Sequence, residues 1–159
     1  MTEAGATAIH ATAVVVREAG VVIRGPSGAG KSRLALLLLG EARTRGHFAR
    51  LVGDDRVLLR ACPGGVIAAP HPAIVGLLER RTQGFGRFAS EGRCRVRLVV
   101  DLHLPASPLP RYPVEGASTA SLAGVAGLPL LRLQGPPDRL SCDLMLEALG
   151  TQLNNADEP

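Results

Sequence analysis

The sequence predicts an α/β domain with a central mixed β-sheet organised around a phosphate-binding loop. Three observations lead there: a G-x-x-x-x-G-K-[ST] segment, β-branched runs before it, and a leucine-rich run after it. The segment is Gly25-Pro26-Ser27-Gly28-Ala29-Gly30-Lys31-Ser32. In this pattern backbone N–H groups cradle phosphates, a lysine ammonium reaches the β- and γ-phosphates, and the hydroxyl is a Mg²⁺ ligand. Lys31 is the single lysine of the chain, and every other basic residue is arginine. Such a bias follows from a coding preference that drifts lysine toward arginine wherever either serves. The survivor stands where a compact ammonium is needed and a planar guanidinium does not fit. The loop is read as solvent-facing, with Lys31 outside the core.

The elements follow in order. Ala13–Val16 and Val21–Arg24 flank the turn Arg17–Gly20, so they form a hairpin whose second strand feeds the loop. From Ser32 the run of leucines lacks β-branched residues and favours a helix, ending near Arg45-Gly46 where glycine suits the cap. Its free N–H groups point at the phosphates. Arg50–Gly53 is a short strand delivering Asp54-Asp55, and Val57–Arg60 continues extended. Cys62-Pro63-Gly64-Gly65 turns, Val66–Ala69 pairs back, and Pro70-His71-Pro72 breaks the pairing. Ile74–Arg80 is a short apolar segment with room for one or two helical turns. Arg93–Leu102 alternates and then becomes wholly apolar, a strand. A proline-rich loop over 105–113, a strand over Leu128–Leu133 and a closing helix over Asp138–Leu149 complete the domain, 1–150. Thr151–Pro159 reads as a polar, flexible tail.

Composition narrows the function classes. At 159 residues the chain is one domain with room for a real core. No apolar run is long enough to cross a membrane, and the first residues lack the basic and apolar regions of a secretory signal. Cys62, Cys94 and Cys142 are odd in number and lack metal spacing, which fits reduced thiols of a cytoplasmic protein. The net charge of +4 raises the question of nucleic acid. The arginines are scattered and only Tyr112 and three phenylalanines could stack on bases, so no nucleic-acid partner is expected. A basic surface suits an acidic protein or a polyphosphate equally well.

The second constellation is Asp54-Asp55, on the strand after the loop helix. Neighbours on an extended chain point to opposite sides. One carboxylate can therefore face the γ-phosphate while the other turns toward metal, water or the supporting shell. A carboxylate here can serve the Mg²⁺–water system or accept a proton from an attacking hydroxyl. Aspartate is also common in turns that end strands. The company of the phosphate loop favours the chemical reading.

Taken together, these words resemble the catalytic domain of the HPr kinase/phosphorylase family, bacterial serine kinases of the phosphotransferase-system carrier HPr. The carriers of the resemblance are His10 before the hairpin, GPSGAGKS, Arg45-Gly46-His47 with Leu51–Val57, Gly76–Gly84, and Val99–Leu102 followed by Arg111. It extends over about residues 9 to 150. It implies a P-loop kinase-like domain, similar to the phosphoenolpyruvate carboxykinase-like nucleotide-binding fold, with ATP and Mg²⁺ as cofactors. It further implies that Lys31 and the loop amides hold the donor phosphates and that Ser32 and Glu79 bind the metal. Asp55 would take the proton of the substrate serine and Asp54 would support it. His10, Arg81 and Arg111 would complete the charged shell. An HPr-type carrier would be the protein substrate, and the chain would form a homo-oligomer, a hexamer by resemblance. His71 and His103 have no counterpart and read as structural, and nothing in the chemistry of His47 singles it out.

The chain departs from the family at three places. Arg33 replaces the glutamate after G-K-S, and Thr82 replaces a glycine whose position tolerates φ > 0. Gln134–Arg139 replaces a basic, glycine-containing loop linked to phosphate-driven dephosphorylation, so kinase activity is favoured over phosphorylase. Two alternatives stay open: a kinase of another protein or a small molecule, since folds host many substrates, and a nucleotide-binding regulatory module with weakened turnover.

Overall fold

In a computed structural model the described residues are 5–112 and 118–156, with side chains described through Gly150. The strands are β1 (Thr7–Ile9), β2 (Thr12–Val16), β3 (Ala19–Arg24), β4 (Ala49–Gly53), β5 (Val57–Cys62), β6 (Gly65–Pro70), β7 (Leu77–Arg80), β8 (Gly84–Arg87), β9 (Cys94–His103), β10 (Thr119–Leu122) and β11 (Val125–Gln134). The helices are α1 (Lys31–Thr44) and α2 (Arg139–Ala156), with a 3-10 turn over Pro72–Ile74.

Nine strands form one sheet in the order β1-β5-β6-β9-β3-β2-β4, with β11 beside β9 and β10 beside β11. The pairs β3–β9 and β9–β11 are parallel and the others antiparallel, so the sheet is mixed. Strand β9 makes this possible by its length: its start pairs with β6 and its end with β11 along the same edge. The parallel pairs set the carboxyl ends of β3 and β9 side by side, where ligands bind in open α/β sheets.

Successive side chains of β2 and β3 enter two different cores. Val14, Val16, Val21 and Ile23 pack under α1 and α2 with Leu34, Leu38 and Met145. Ala13, Val15 and Val22 join Val57, Leu59, Val66 and Val99 on the opposite face. Burial on both faces is why these strands read as continuous apolar runs. Helix α1 closes as expected: Gly46 at φ 80 donates to the Arg43 carbonyl and His47 to that of Ala42, a Schellman end.

Three expectations are corrected. The stretch Ile74–Arg80 has a single 3-10 turn ending at Ile74 and then becomes β7, paired with β8 in a separate two-stranded sheet. Gly76 at φ 71, in the turn, leads into that strand, and the Phe88 N–H donates to its carbonyl. The closing helix runs to Ala156 rather than Leu149, continuing through Gly150, since no proline lies in 150–155 to remove a helix N–H. The start of the expected 151–159 tail is therefore helical backbone, and 157–159 lie outside the described residues. Strands β1 and β10 also form where no strand was expected, each along a partner distant in sequence or across a tight turn.

Candidate active site

The take-off of the loop is set by the end of β3. Arg24 donates through Nε and Nη2 to both oxygens of its register neighbour Asp101, at 2.8 and 2.9 Å. Gly25 then passes so close to β9 that a Cβ would sit 2.5 Å from the Leu102 carbonyl oxygen. Gly28 has φ 79 and a Cβ there would meet open space, so glycine is required by backbone conformation. Gly30, φ 100, is the N-cap of α1 and supplies no side-chain hydrogen bond, and the first turn holds no acid. The leading N–H groups of α1 are thus left for an anion. Arg33, in that turn, is exposed and adds to the positive field.

Lys31 corrects the sequence expectation. It is the first residue of α1 and only 7% exposed, because Nζ folds back under the loop. It donates to the carbonyls of Gly25 at 2.9 Å and Pro26 at 3.1 Å. Burial pushes its pKa below the usual lysine value, and the negative charges of Asp54 and then Asp55 offset part of that. The ammonium is pre-set against the loop backbone, at the floor on which phosphates would rest.

The acidic pair divides into a buried and an exposed member. Asp54 is 3% exposed and collects donors from three elements. Thr12 Oγ1 of β2 donates to Oδ1 at 2.6 Å, Ser32 Oγ of α1 lies 2.8 and 3.0 Å from the two oxygens, and the Glu79 N–H of β7 donates to Oδ2 at 3.2 Å. Asp55 points elsewhere because the chain has left the strand and turned left-handed, φ 64. Its Oδ1 lies 2.9 Å from Nε2 of His10. Both are more than half exposed, at the edge of an open depression of about 390 Å³ lined by Ala8, Ile9, His10, Asp55 and Arg56. The divergence expected from alternation along a strand has another source: both aspartates lie beyond β4, and the left-handed turn at Asp55 separates them instead.

The other expected residues are less gathered. Glu79 reaches the cluster through its backbone, while its side chain is exposed. Arg81 is exposed in the turn between β7 and β8, next to Thr82, which holds φ 67. A β-branched residue there is strained. Arg111 is exposed and its guanidinium lies 5.8 Å from the centre of the Tyr112 ring; residues 113–117 lie outside the described ones. His71 caps the 3-10 turn, accepting from the Ala73 N–H at 3.2 Å, and His47 lies against Arg17, 3.0 Å from Nη2. Two groups were missed. The Arg24–Asp101 pair carried no signal before the register was known. Thr12 carried a faint one, a hydroxyl inside the apolar run 11–16.

The segment expected to differ from the family, Gln134–Arg139, leans on the loop. A Cβ on Gly30 would meet Pro137 Cδ at 2.9 Å. The Gln134 amide is spent on the 104–109 segment, accepting from the Leu109 N–H and donating to the Leu104 carbonyl. Asp138 caps α2, accepting from the Ser141 N–H at 2.9 Å, a bond that holds its carboxyl below the ordinary range.

A metal fits this donor set. Among the described residues no three His, Cys, Asp or Glu side chains gather as a metal site. Mg²⁺ does not need such a cage, since it keeps waters and takes few protein oxygens besides phosphates. Ser32 gives its proton to Asp54, which leaves its lone pairs free at the foot of the loop. The three cysteines are free thiols, and burial pushes Cys94 up to about 12 and Cys142 to about 11.

The chain resembles known proteins in sequence and in fold. The HPr kinase/phosphorylase of Geobacillus sp. (strain WCH70) is 42% identical over 106 residues, 62% of this chain and 32% of that protein. That of Bordetella pertussis is 38% identical over 105 residues, 60% of this chain and 32% of that one. This chain thus spans about a third of the length of the curated relatives it matches. The solved Hpr(Ser) kinase/phosphatase from Coxiella burnetii shares the fold, with a TM-score of 0.71 at 24% identity over 95% of this chain and 93% of that one. No helix among the described residues is long and apolar enough to cross a membrane. The family described as HPr Serine kinase C-terminal domain matches residues 2–108, a stretch that includes the loop, both aspartates and the β7–β8 hairpin and stops short of Arg111. The chain belongs to the HPr Serine kinase C-terminal domain family.

Proposed function

We propose that this domain transfers the γ-phosphoryl of ATP to a serine of an HPr-type phosphocarrier in the cytoplasm, working as a homo-oligomer. The observation that carries the reading is the division of labour at the loop. A buried Lys31 and a Ser32–Asp54 pair stand at the loop, and an exposed Asp55 stands at an open depression with room for a protein serine. The loop amides and Lys31 would hold the β- and γ-phosphates. Ser32, with Asp54 behind it and Glu79 nearby, would hold Mg²⁺, which supplies neutralisation of phosphate charge. Asp55 would accept the serine proton as the hydroxyl oxygen bonds to phosphorus and the bond to ADP breaks. His10, 2.9 Å away, would orient that carboxylate, and Arg81 and Arg111 would add positive charge around the transferred group.

The reverse, phosphate-driven reaction is expected to be the weaker. A phosphate nucleophile needs N–H donors and positive charge beside the phosphoserine. The turn against the loop instead offers Pro136 and Pro137, which have no N–H, and Asp138, whose carboxylate already caps α2. The test is labelled-ATP transfer to a purified HPr-type carrier, with Lys31→Ala as control. Label on a carrier serine supports the reading. Label only on a small metabolite, or nucleotide binding without transfer, refutes it. Rapid pyrophosphate release from phosphorylated carrier and millimolar phosphate would refute the kinase preference.

A further inference from the structure

We propose that Thr12 is a positioning residue for the metal–nucleotide site, acting through Asp54 on Ser32. The inference rests on the phosphotransfer reading above and concerns a residue outside the loop and outside the acidic pair. Thr12 opens β2, is 1% exposed, and sits opposite Ile23 in the hairpin. Its hydroxyl lies 2.6 Å from Asp54 Oδ1, in the short range of an O–H group donating to a carboxylate.

The geometry explains why this donor matters. The Asp54 carboxylate is gripped from two sides, by Thr12 on Oδ1 and by the Glu79 N–H on Oδ2. With both oxygens anchored, the plane of the carboxylate cannot rotate. Ser32 then finds a fixed acceptor 2.8 Å away and must direct its one proton inward. Its lone pairs are thereby turned toward the mouth of the loop, the direction from which a phosphate-bound cation is met. Removing the Thr12 donor frees one end of the carboxylate. Ser32 gains rotational freedom, and its lone pairs are aimed for only part of the time. An outer-shell partner of this kind typically changes metal affinity or activity by about 10- to 100-fold.

The same cluster ties four segments together. Thr12 belongs to the hairpin that feeds the loop, Asp54 directly follows β4, Ser32 lies in α1 and Glu79 in β7. A hydroxyl that only satisfied itself in the core could have donated to any nearby carbonyl. Here it is spent on the one buried carboxylate of the described residues that also touches the loop serine.

The experiment compares wild type, Thr12→Val and Thr12→Ser. Valine keeps the shape and removes the donor; serine keeps the donor and removes a methyl. Mn²⁺ affinity in the ADP complex is read by electron paramagnetic resonance, and metal-free ADP binding by calorimetry. Thr12→Val should weaken Mn²⁺ about 10- to 100-fold, while metal-free ADP binding stays within about threefold because Lys31 and the loop amides are untouched. Thr12→Ser should return to within about threefold of wild type, since the donor is restored. A purely structural threonine would shift the melting temperature of both variants and leave the Mn²⁺ affinity of the folded protein unchanged, and that result overturns the proposal. Should Thr12→Val fail to fold, Thr12→Ala, which also removes the donor, is read instead. Unchanged Mn²⁺ affinity in that variant overturns the proposal equally. Wild type that binds no Mn²⁺·ADP overturns the phosphotransfer reading itself, and this inference with it.

Discussion

Asp54→Asn and Asp55→Asn should separate stability from catalysis, although the two residues are adjacent and the change is the same. At position 54 the carboxylate accepts from Thr12, Ser32 and the Glu79 N–H while almost fully buried. Asparagine keeps one oxygen, best placed toward Thr12 at the shorter contact. Its NH₂ then meets the Glu79 N–H, donor against donor. Loss of one charge-assisted bond and exposure of an unpaired N–H cost about 2–3 kcal/mol, with partial relief from no longer burying a charge. For a domain of this size that is a fall in melting temperature of about 4–12 °C. At position 55 the partner is His10 and both side chains are more than half exposed. Such a pair is worth at most about 1 kcal/mol, so melting should move by under about 4 °C. Single-turnover transfer should show the reverse order. Asp55→Asn should lose roughly 10²–10⁴-fold, the usual worth of a general base, with nucleotide still bound. Asp54→Asn, assayed below its melting range, should lose less. Calorimetric melting and rapid-quench transfer on the same preparations decide it. Equal melting shifts would refute the burial argument, and a greater transfer loss at Asp54 would invert the assigned roles.

Three other perturbations follow from particular contacts. Lys31→Ala should abolish carrier labelling and Lys31→Arg should rescue poorly, because a guanidinium cannot fold beneath the loop as Nζ does; near-normal labelling by either removes the loop from the mechanism. The lowered pKa of Lys31 also has a definite sign. Folding disfavours its protonated form, so the gain is full above 10.5 and is lost as pH falls through the lowered folded value. Denaturant titrations from pH 8 to 11 should show wild type gaining on Lys31→Met across that window, and parallel curves would contradict it. Thr82→Gly relieves about 1–2 kcal/mol of left-handed strain against about 0.5–1 kcal/mol of added chain entropy, a net gain visible as a higher urea midpoint; an unchanged or lower midpoint rejects the strain. Light scattering should report a homo-oligomer at micromolar concentration, and a monomer throughout would count against the assembly proposed.

Much of the molecule was readable in one dimension because its signals are local. The phosphate loop is contiguous, so the required residues advertise themselves by spacing alone. The hairpin before it and the leucine-rich α1 follow from β-branching, turn residues and a glycine cap, all within a few positions of each other. The β7–β8 hairpin shows where this stops. Leu77–Arg80 is apolar enough for a turn of helix, and only pairing with Gly84–Arg87 makes it a strand. Helix α2 outran its expected end for a related reason, since a polar stretch without proline continues, across Gly150, a helix that packing has already anchored.

What the sequence alone determined, then, was the local pattern: a G-x-x-x-x-G-K-S loop between a strand and a helix, a single lysine within it, and two adjacent aspartates beyond it. Those are properties of residue type and short spacing. What only the tertiary structure decided was the environment of each group. Lys31 is buried rather than solvent-facing, because Nζ finds the carbonyls of Gly25 and Pro26. Asp54 is the anchored carboxylate and Asp55 the presented one, because a left-handed turn divides them and Thr12, 42 residues away in the chain, donates to the first. Burial and hydrogen-bond partners depend on strands meeting across long stretches of sequence, and no local pattern encodes which hydroxyl will meet which carboxylate.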